Sequence, residues 1–134
     1  MASDFTWPVR IYYEDTDAGG IVFYANYLKF FERARTEWLR AAGVNQQQLA
    51  EQEGAIFVVK SAHIDYHAPA KLDDVLNLTL SIEKLGRASV QFVQQAWCGD
   101  VLLASARVKV GCVDAVTLRP CALPPASADK MRAA

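Results

Sequence analysis

Hydrophobic positions along the chain follow a strand pattern at first, then a helical pattern, and then a strand pattern again. Residues 7–13 are rich in β-branched and aromatic side chains, which is typical of a strand. Over residues 24–42 apolar side chains recur every three to four positions, which predicts an amphipathic helix that Gly43 ends. The apolar face of this helix consists of Tyr27, Leu28, Phe31, Ala34, Trp38 and Ala42.

From Ala55 onward the hydrophobic period changes to two, which predicts a series of strands. The predicted strands cover residues 55–69, 76–83, 88–97 and 101–113. The short turns near Gly86 and Gly99 require antiparallel neighbours. The fold class is therefore α+β, with one long helix packed on a curved antiparallel sheet and a short helix at 45–54 between them.

The C-terminal residues show no such pattern. Residues 119–134 contain proline at two separate places and lack any periodicity. We expect one domain over residues 1–134, in which about 120–134 form an extended, flexible tail.

Composition excludes several classes of protein. The net charge of -1 gives no basic surface of the kind that binds nucleic acid. No apolar run approaches the roughly 20 residues that cross a bilayer, and the N-terminus lacks the features of a signal peptide. The three cysteines are odd in number and lack metal-ligand spacing, so we expect reduced thiols and a cytoplasmic protein.

The candidate chemistry lies between the first strand and the long helix, where two aspartates and a glycine pair form a loop. Such loops are common as capping and turn structures, and we interpret Asp15 in that way. A helix N-terminus also offers free N–H groups to an anion or a polarised carbonyl. Asp17 could therefore serve as nucleophile or base while the Tyr24 backbone N–H binds a developing oxyanion.

Other site types fit the residues poorly. The acid spacing from Asp15 to Gly20 resembles a calcium loop, but Gly19 and Asn26 stand where oxygen ligands are required. In a strand, His63 and His67 lie about 13 Å apart, too far for one metal ion. No Gly-x-Ser-x-Gly elbow occurs. The sequence therefore predicts no metal and no cofactor.

Several separated motifs carry a resemblance that spans residues 7–120. They are Tyr13-Glu-Asp-Thr-Asp-Ala-Gly-Gly-Ile-Val22, Asn26-Tyr27, Phe31-Glu-Arg-Ala-Arg35, Tyr66-His-Ala-Pro-Ala-Lys-Leu-Asp-Asp74, Gly86-Arg-Ala-Ser89 and Val113-Asp114. Together they resemble the signature of hotdog-fold thioesterases of the 4-hydroxybenzoyl-CoA thioesterase family, particularly the branch of acyl-CoA thioesterases associated with the Tol-Pal system.

The resemblance implies an antiparallel sheet wrapped around the long helix and hydrolysis of acyl-CoA thioesters. It implies that Asp17 is the catalytic carboxylate and that the Tyr24 backbone N–H polarises the thioester carbonyl. Lys84, Arg87 and Ser89 match the region that contacts CoA. It also implies a homo-oligomer, a dimer of dimers or homotetramer, with active sites between subunits and acyl carrier protein thioesters as further substrates.

One departure keeps the acyl group open. Many aliphatic-acyl members of the Tol-Pal branch carry His at the position of Tyr24, so aromatic, hydroxybenzoyl-type acyl-CoA is an alternative substrate. A hydratase on the same fold and a non-catalytic acyl-thioester binding or scaffold module are the rival functions. The hydratase would require a His base near an acid, and no His lies in the Asp17 loop.

Overall fold

The long helix and the strand before it form as predicted, with different ends. In the computed structural model, which describes residues 5–134, β1 spans Thr6–Arg10 and a 3₁₀ turn follows at Tyr13–Asp15. The strand is shorter than predicted because the Tyr12 N–H bonds the Asp15 carboxylate at 2.8 Å instead of a neighbouring strand. Helix α1 spans Asn26–Ala41, after a turn in which the Asn26 N–H bonds the Phe23 carbonyl.

Gly43 ends α1, and Gly54 ends the helical segment that follows it. Gly43, with φ of 91°, adopts the left-handed conformation that terminates α1. Helix α2 spans Gln46–Gln48 and continues as a π-helical turn at Leu49–Glu53, as predicted for 45–54. The Asn45 side chain accepts a hydrogen bond from the Gln48 N–H at 3.0 Å, so it caps this segment.

The remaining strands form one antiparallel sheet with β1. They are β2 (Ala55–Tyr66), β3 (Val75–Leu85), β4 (Ser89–Cys98) and β5 (Val101–Asp114). The order across the sheet is β1-β3-β4-β5-β2. The predicted meander is present in β3–β4–β5, but β2 pairs with β5 and lies at the far edge. Residues 67–74 are long enough to cross the three strand spacings, about 14 Å, that separate β2 from β3.

The core lies between α1 and the sheet. Helix α1 packs on β1 and β3, and the buried side chains alternate along β3 and β4, as expected for half-buried strands. The largest side chains that are fully buried in this core include Phe30, Phe31, Phe92, Leu76, Leu78 and Leu80. No helix within residues 5–134 is both long and apolar enough to cross a membrane.

The prediction of a C-terminal tail without regular structure is wrong for its last part. Helix α3 spans Pro125–Ala133 and buries Ser127, Ala128 and Met131. Pro125 occupies the first helical turn, where its missing N–H and fixed φ cost nothing. The segment before α3 is held to the sheet, since the Leu123 N–H bonds the Arg87 carbonyl at 2.8 Å.

Candidate active site

A short hairpin joins β1 to α1 and carries the candidate catalytic groups. Thr16 and Val22 form an antiparallel bridge, and the Asp17 N–H bonds the Ile21 carbonyl at 2.9 Å. The hairpin is fixed to the residues before β3 by the bond from the Val22 N–H to the Ala70 carbonyl, also 2.9 Å. The loop is therefore a defined structure at one end of the sheet.

Asp15 holds this hairpin together. Its carboxylate accepts the Tyr12 N–H, and its carbonyl accepts both the Phe23 N–H at 3.0 Å and the Asn26 side-chain amide at 2.9 Å. The last bond ties the acid loop to the first residue of α1. These contacts agree with the structural role expected for Asp15.

Asp17 has a different environment. Its side chain is exposed, and Oδ1 accepts the Gly19 N–H at 2.8 Å. Oδ2 accepts no hydrogen bond from any residue between 5 and 134. A Cβ at position 19 would lie 3.2 Å from Asp17 Oδ1, so the close approach favours glycine there. The loop thus orients the carboxylate through one oxygen and leaves the other free to react.

Tyr24 lies in the turn immediately before α1. Its backbone N–H makes no hydrogen bond within the part of the chain that the structure describes, so it can donate a hydrogen bond to an incoming oxygen. Its carbonyl accepts the Tyr66 hydroxyl at 3.0 Å, and the two rings meet edge to face with centroids 6.0 Å apart. Burial, with a further contribution from Tyr24, raises the pKa of Tyr66, so the hydroxyl stays protonated as the donor.

The three predicted CoA contacts lie together at the turn between β3 and β4. Lys84 and Arg87 are exposed, and Ser89 begins β4 with its carbonyl bonded to the Gly86 N–H at 2.8 Å. The Asp17 hairpin adjoins the opposite end of β3, where the Ile11 N–H bonds the Asp74 carbonyl. Strand β3 separates the two groups by a path of about 30 Å. One chain does not bring them together.

Glu32, His63 and His67 each have a side-chain partner within the chain. Glu32 is exposed and its carboxylate accepts the Thr36 hydroxyl at 3.0 Å. His63 pairs with Asp65 at 3.2 Å, and His67 bonds the Ser105 hydroxyl at 2.9 Å. Among residues 5–134 no three His, Cys, Asp or Glu side chains cluster as metal ligands would.

Two features of the structure were not predicted from the sequence. Tyr66 belongs to one of the sequence motifs, but its contact with Tyr24 spans 42 positions and no local pattern predicts it. The buried hydrogen bond from Arg35 to Gln94, at 3.0 Å, was also missed. Gln94 lies at a core-facing position of β4, and a polar residue there is the one signal that could have revealed this bond.

Comparison with known proteins identifies the family. Residues 12–131 match the Thioesterase-like superfamily. The chain belongs to this family. It is 48% identical over 124 residues to the acyl-CoA thioesterase YbgC of Haemophilus influenzae, covering 92% of this chain and 91% of that one. It is 47% identical over 121 residues to the acyl-CoA thioester hydrolase YbgC of Escherichia coli, covering 90% of each.

A solved structure agrees. The crystal structure of a probable thioesterase from Bartonella henselae is 35% identical, with a TM-score of 0.85 and coverage of 90% of this chain and 98% of that one. The fold is therefore the hotdog fold, as the resemblance implied.

Proposed function

We propose that the protein hydrolyses acyl-CoA thioesters to a carboxylic acid and free CoA. The observation that carries this proposal is the presence of the exposed Asp17 carboxylate and the unbonded Tyr24 N–H on one short hairpin. The acyl-CoA thioesterases of Haemophilus influenzae and Escherichia coli, with which the chain shares nearly half its residues, support the substrate class.

In the proposed mechanism Asp17 acts on one side of the thioester carbonyl and the start of α1 acts on the other. The Tyr24 N–H donates to the carbonyl oxygen as negative charge develops on it. Asp17 either attacks the carbonyl carbon, giving an acyl-enzyme anhydride that water cleaves, or removes a proton from an attacking water. In both routes the C–S bond breaks and the thiolate leaves as CoA. Tyr66 is a positioning residue, because it holds the Tyr24 carbonyl.

The CoA end of the substrate is assigned to Lys84, Arg87 and Ser89 of a second subunit. The path of about 30 Å along β3 between this turn and Asp17 supports a site shared between two chains. The 12-residue edge strand β2 also has no neighbouring strand on one side among residues 5–134, which favours pairing with another copy. We propose a homotetramer arranged as a dimer of dimers.

Light scattering tests the oligomer. Val59 on β2 is 54% exposed, and Val59→Glu should weaken assembly if this edge is an interface. Val116→Glu provides the control, since Val116 is 89% exposed in the loop after β5. A fully active wild-type monomer would contradict the proposal.

A second candidate substrate class is aromatic acyl-CoA. The turn before α1 exposes Phe23 and Tyr24, and Tyr66 contacts Tyr24 from β2. Aromatic rings of this kind favour stacking with an aromatic acyl group. This surface supports benzoyl-type thioesters alongside aliphatic ones.

The deciding experiment is incubation with butyryl-, octanoyl-, benzoyl- and 4-hydroxybenzoyl-CoA while a thiol reagent detects free CoA. Release of CoA with at least one substrate is expected, and release with none supports a binding or scaffold module. An enoyl-CoA in the same panel tests hydration by loss of its double bond. An acyl carrier protein thioester and cell fractionation test the proposed second carrier and the proposed cytoplasmic location.

A further inference from the structure

A cavity lies away from the Asp17 hairpin, between the second half of α1 and the sheet. Its volume is about 470 Å³, within the range of small-molecule sites. Most of its apolar lining comes from β2, β4, β5 and α3, and Leu39 of α1 completes it. The residues from the strands and α3 are Phe57, Val59, Val90, Phe92, Val110 and Met131. The polar part comes largely from α1, where Glu32, Arg35, Thr36 and Arg40 line one side.

Arg35 is the unusual member of this lining, because it is a charged residue with only 9% of its surface exposed. Its Nη1 donates to Gln94 Oε1 at 3.0 Å, and the Gln94 amide nitrogen donates to the Phe31 carbonyl at 2.9 Å. Gln94 is itself fully buried. The guanidinium is therefore held in one orientation by a neutral partner, with no carboxylate within ion-pair distance among residues 5–134.

Arg35 has further donors that its bond to Gln94 does not use. Nε and Nη2 make no hydrogen bond to any side chain or carbonyl in the described range. Neither atom is sealed in the protein interior, since every fully enclosed side-chain nitrogen or oxygen there has a partner. Because Arg35 lines the cavity, its uncommitted edge opens into that space. A guanidinium edge of this kind matches a carboxylate with two parallel bonds.

The other charges around the cavity leave room for one anion. Arg40 lines the cavity and forms an ion pair with Glu37 at 2.8 Å. Glu37 itself is not part of the cavity lining. Glu32 is exposed, and its carboxylate is bonded to Thr36, so solvent weakens its repulsion of an anion held at Arg35.

We propose that this cavity binds an organic carboxylate with an apolar tail, the carboxylate on Arg35 and the tail against Phe57, Phe92 and Met131. This is also the chemical class of the acid that thioester hydrolysis releases, and that link rests on the proposed function. Binding itself does not require hydrolysis, so the two proposals can fail separately.

Hexanoate and hexanamide form a matched pair of probes, equal in size and different in charge. Titration of the wild-type protein should show saturable binding of hexanoate. Hexanamide should bind at least about tenfold more weakly than hexanoate, as expected when a charge-assisted pair is lost. In nuclear magnetic resonance spectra the Arg35 Nε–H signal should shift with hexanoate. Equal binding of both probes, no saturable binding of hexanoate, or an unmoved Arg35 signal would overturn the proposal. If a second copy of the chain fills the cavity, no saturable binding of hexanoate will be observed.

Variants locate the binding further. Arg35→Met alone leaves the Gln94 carbonyl buried without its donor, so the double variant Arg35→Met/Gln94→Leu replaces both partners with apolar side chains. The double variant should lose the preference for hexanoate over hexanamide. The control Arg33→Met removes an exposed arginine that is not part of the cavity lining and should keep that preference. A preference retained in the double variant would show that the carboxylate binds elsewhere.

Discussion

At the residue scale, two aspartates in one loop differ sharply in what surrounds them. Asp15 is tied to Tyr12 through its side chain and to Phe23 and Asn26 through its carbonyl. Asp17 is exposed and bonded through one oxygen to Gly19. The difference follows from position in the hairpin, because Asp15 lies at its base next to α1 and Asp17 lies at its turn. Their roles in catalysis and in folding should separate accordingly.

Asp17→Asn should abolish hydrolysis while the protein stays folded. The amide keeps the size of the side chain and removes the attacking or proton-accepting oxygen. Loss of one oxyanion donor costs on the order of 10²–10³ in rate, and loss of the carboxylate should cost at least that. The measurement is kcat for one accepted acyl-CoA, together with a thermal melt.

Asp15→Asn is the matched variant. It weakens the acceptor for the Tyr12 N–H and should lower the melting temperature more than it lowers kcat. If Asp17→Asn remains within a few-fold of wild type, or if Asp15→Asn is the inactive variant, the catalytic assignment is wrong.

Tyr66→Phe should lower kcat by less than the loss of an oxyanion donor. The ring and its edge contact with Tyr24 remain, while the hydroxyl that holds the Tyr24 carbonyl at 3.0 Å is lost. A few-fold fall in kcat with little change in KM is expected, because the hydroxyl holds the peptide that follows the donor N–H and so orients that N–H only indirectly. Steady-state kinetics check this. Tyr13→Phe is the control, because Tyr13 is 82% exposed in the 3₁₀ turn after β1. An unchanged kcat in Tyr66→Phe would remove its positioning role.

At the scale of elements, the sequence predicted those that have a strong period and missed the one that does not. Helix α1 and strands β3 to β5 carry regular patterns, and their ends moved by only a few residues. Helix α3 is short, contains several alanines and follows two prolines, so its burial depends on contacts with distant parts of the chain. Such tertiary contacts are absent from a local pattern.

Met131 tests whether α3 contributes to stability. Its side chain is fully buried, so Met131→Ala should lower the free energy of unfolding by about 2–5 kcal/mol, as for other large-to-small core changes. Urea denaturation measures this. Arg132→Ala, at an exposed position in the same helix, should have little effect. Equal stabilities of the two variants would mean that α3 is not docked in solution.

At the scale of the whole molecule, a buried tyrosine hydroxyl and a buried cysteine thiol should make the fold less stable at high pH. Burial, with smaller contributions from Tyr66, Asp74 and Cys98, raises the pKa of Tyr27 from 10.0 to about 12. Burial and the Cys121 thiol, 3.6 Å away, raise the pKa of Cys112 from 9.0 to about 12. In both cases the unfolded chain releases its proton first. Stability should therefore fall as the pH rises above about 9.

Tyr27→Phe isolates one of these groups. The phenylalanine ring keeps the contacts with Phe30 and Phe31 but has no proton to lose. Between pH 9 and 11 the free energy of unfolding should fall less steeply for this variant than for wild type, as measured by urea denaturation. Parallel curves would mean that Tyr27 titrates alike in the folded and unfolded chains.

The separation of Asp17 from Lys84 and Arg87 could not be predicted from the sequence. Both groups belong to recognisable motifs, but their distance depends on the register of β1 on β3, which pairs Arg10 with Val75. That register puts the acid hairpin at the start of β3 and the basic turn at its end. The proposed site between two subunits would bring the two groups together, and mixing subunits tests that proposal.

Lys84→Ala/Arg87→Ala should raise KM for acyl-CoA more than it lowers kcat, because contacts far from the carbonyl bind substrate and transition state alike. The effect should shrink as salt rises, since both side chains are exposed.

Mixed with the inactive Asp17→Asn protein under conditions that exchange subunits, the Lys84→Ala/Arg87→Ala variant should yield one intact site in each hybrid dimer. Random mixing should then restore about one quarter of wild-type activity at low substrate and low salt. If Asp17 and Arg87 of the same chain served one site, each hybrid would contain two defective sites. The activity of the mixture would then equal only the average of the two variant proteins.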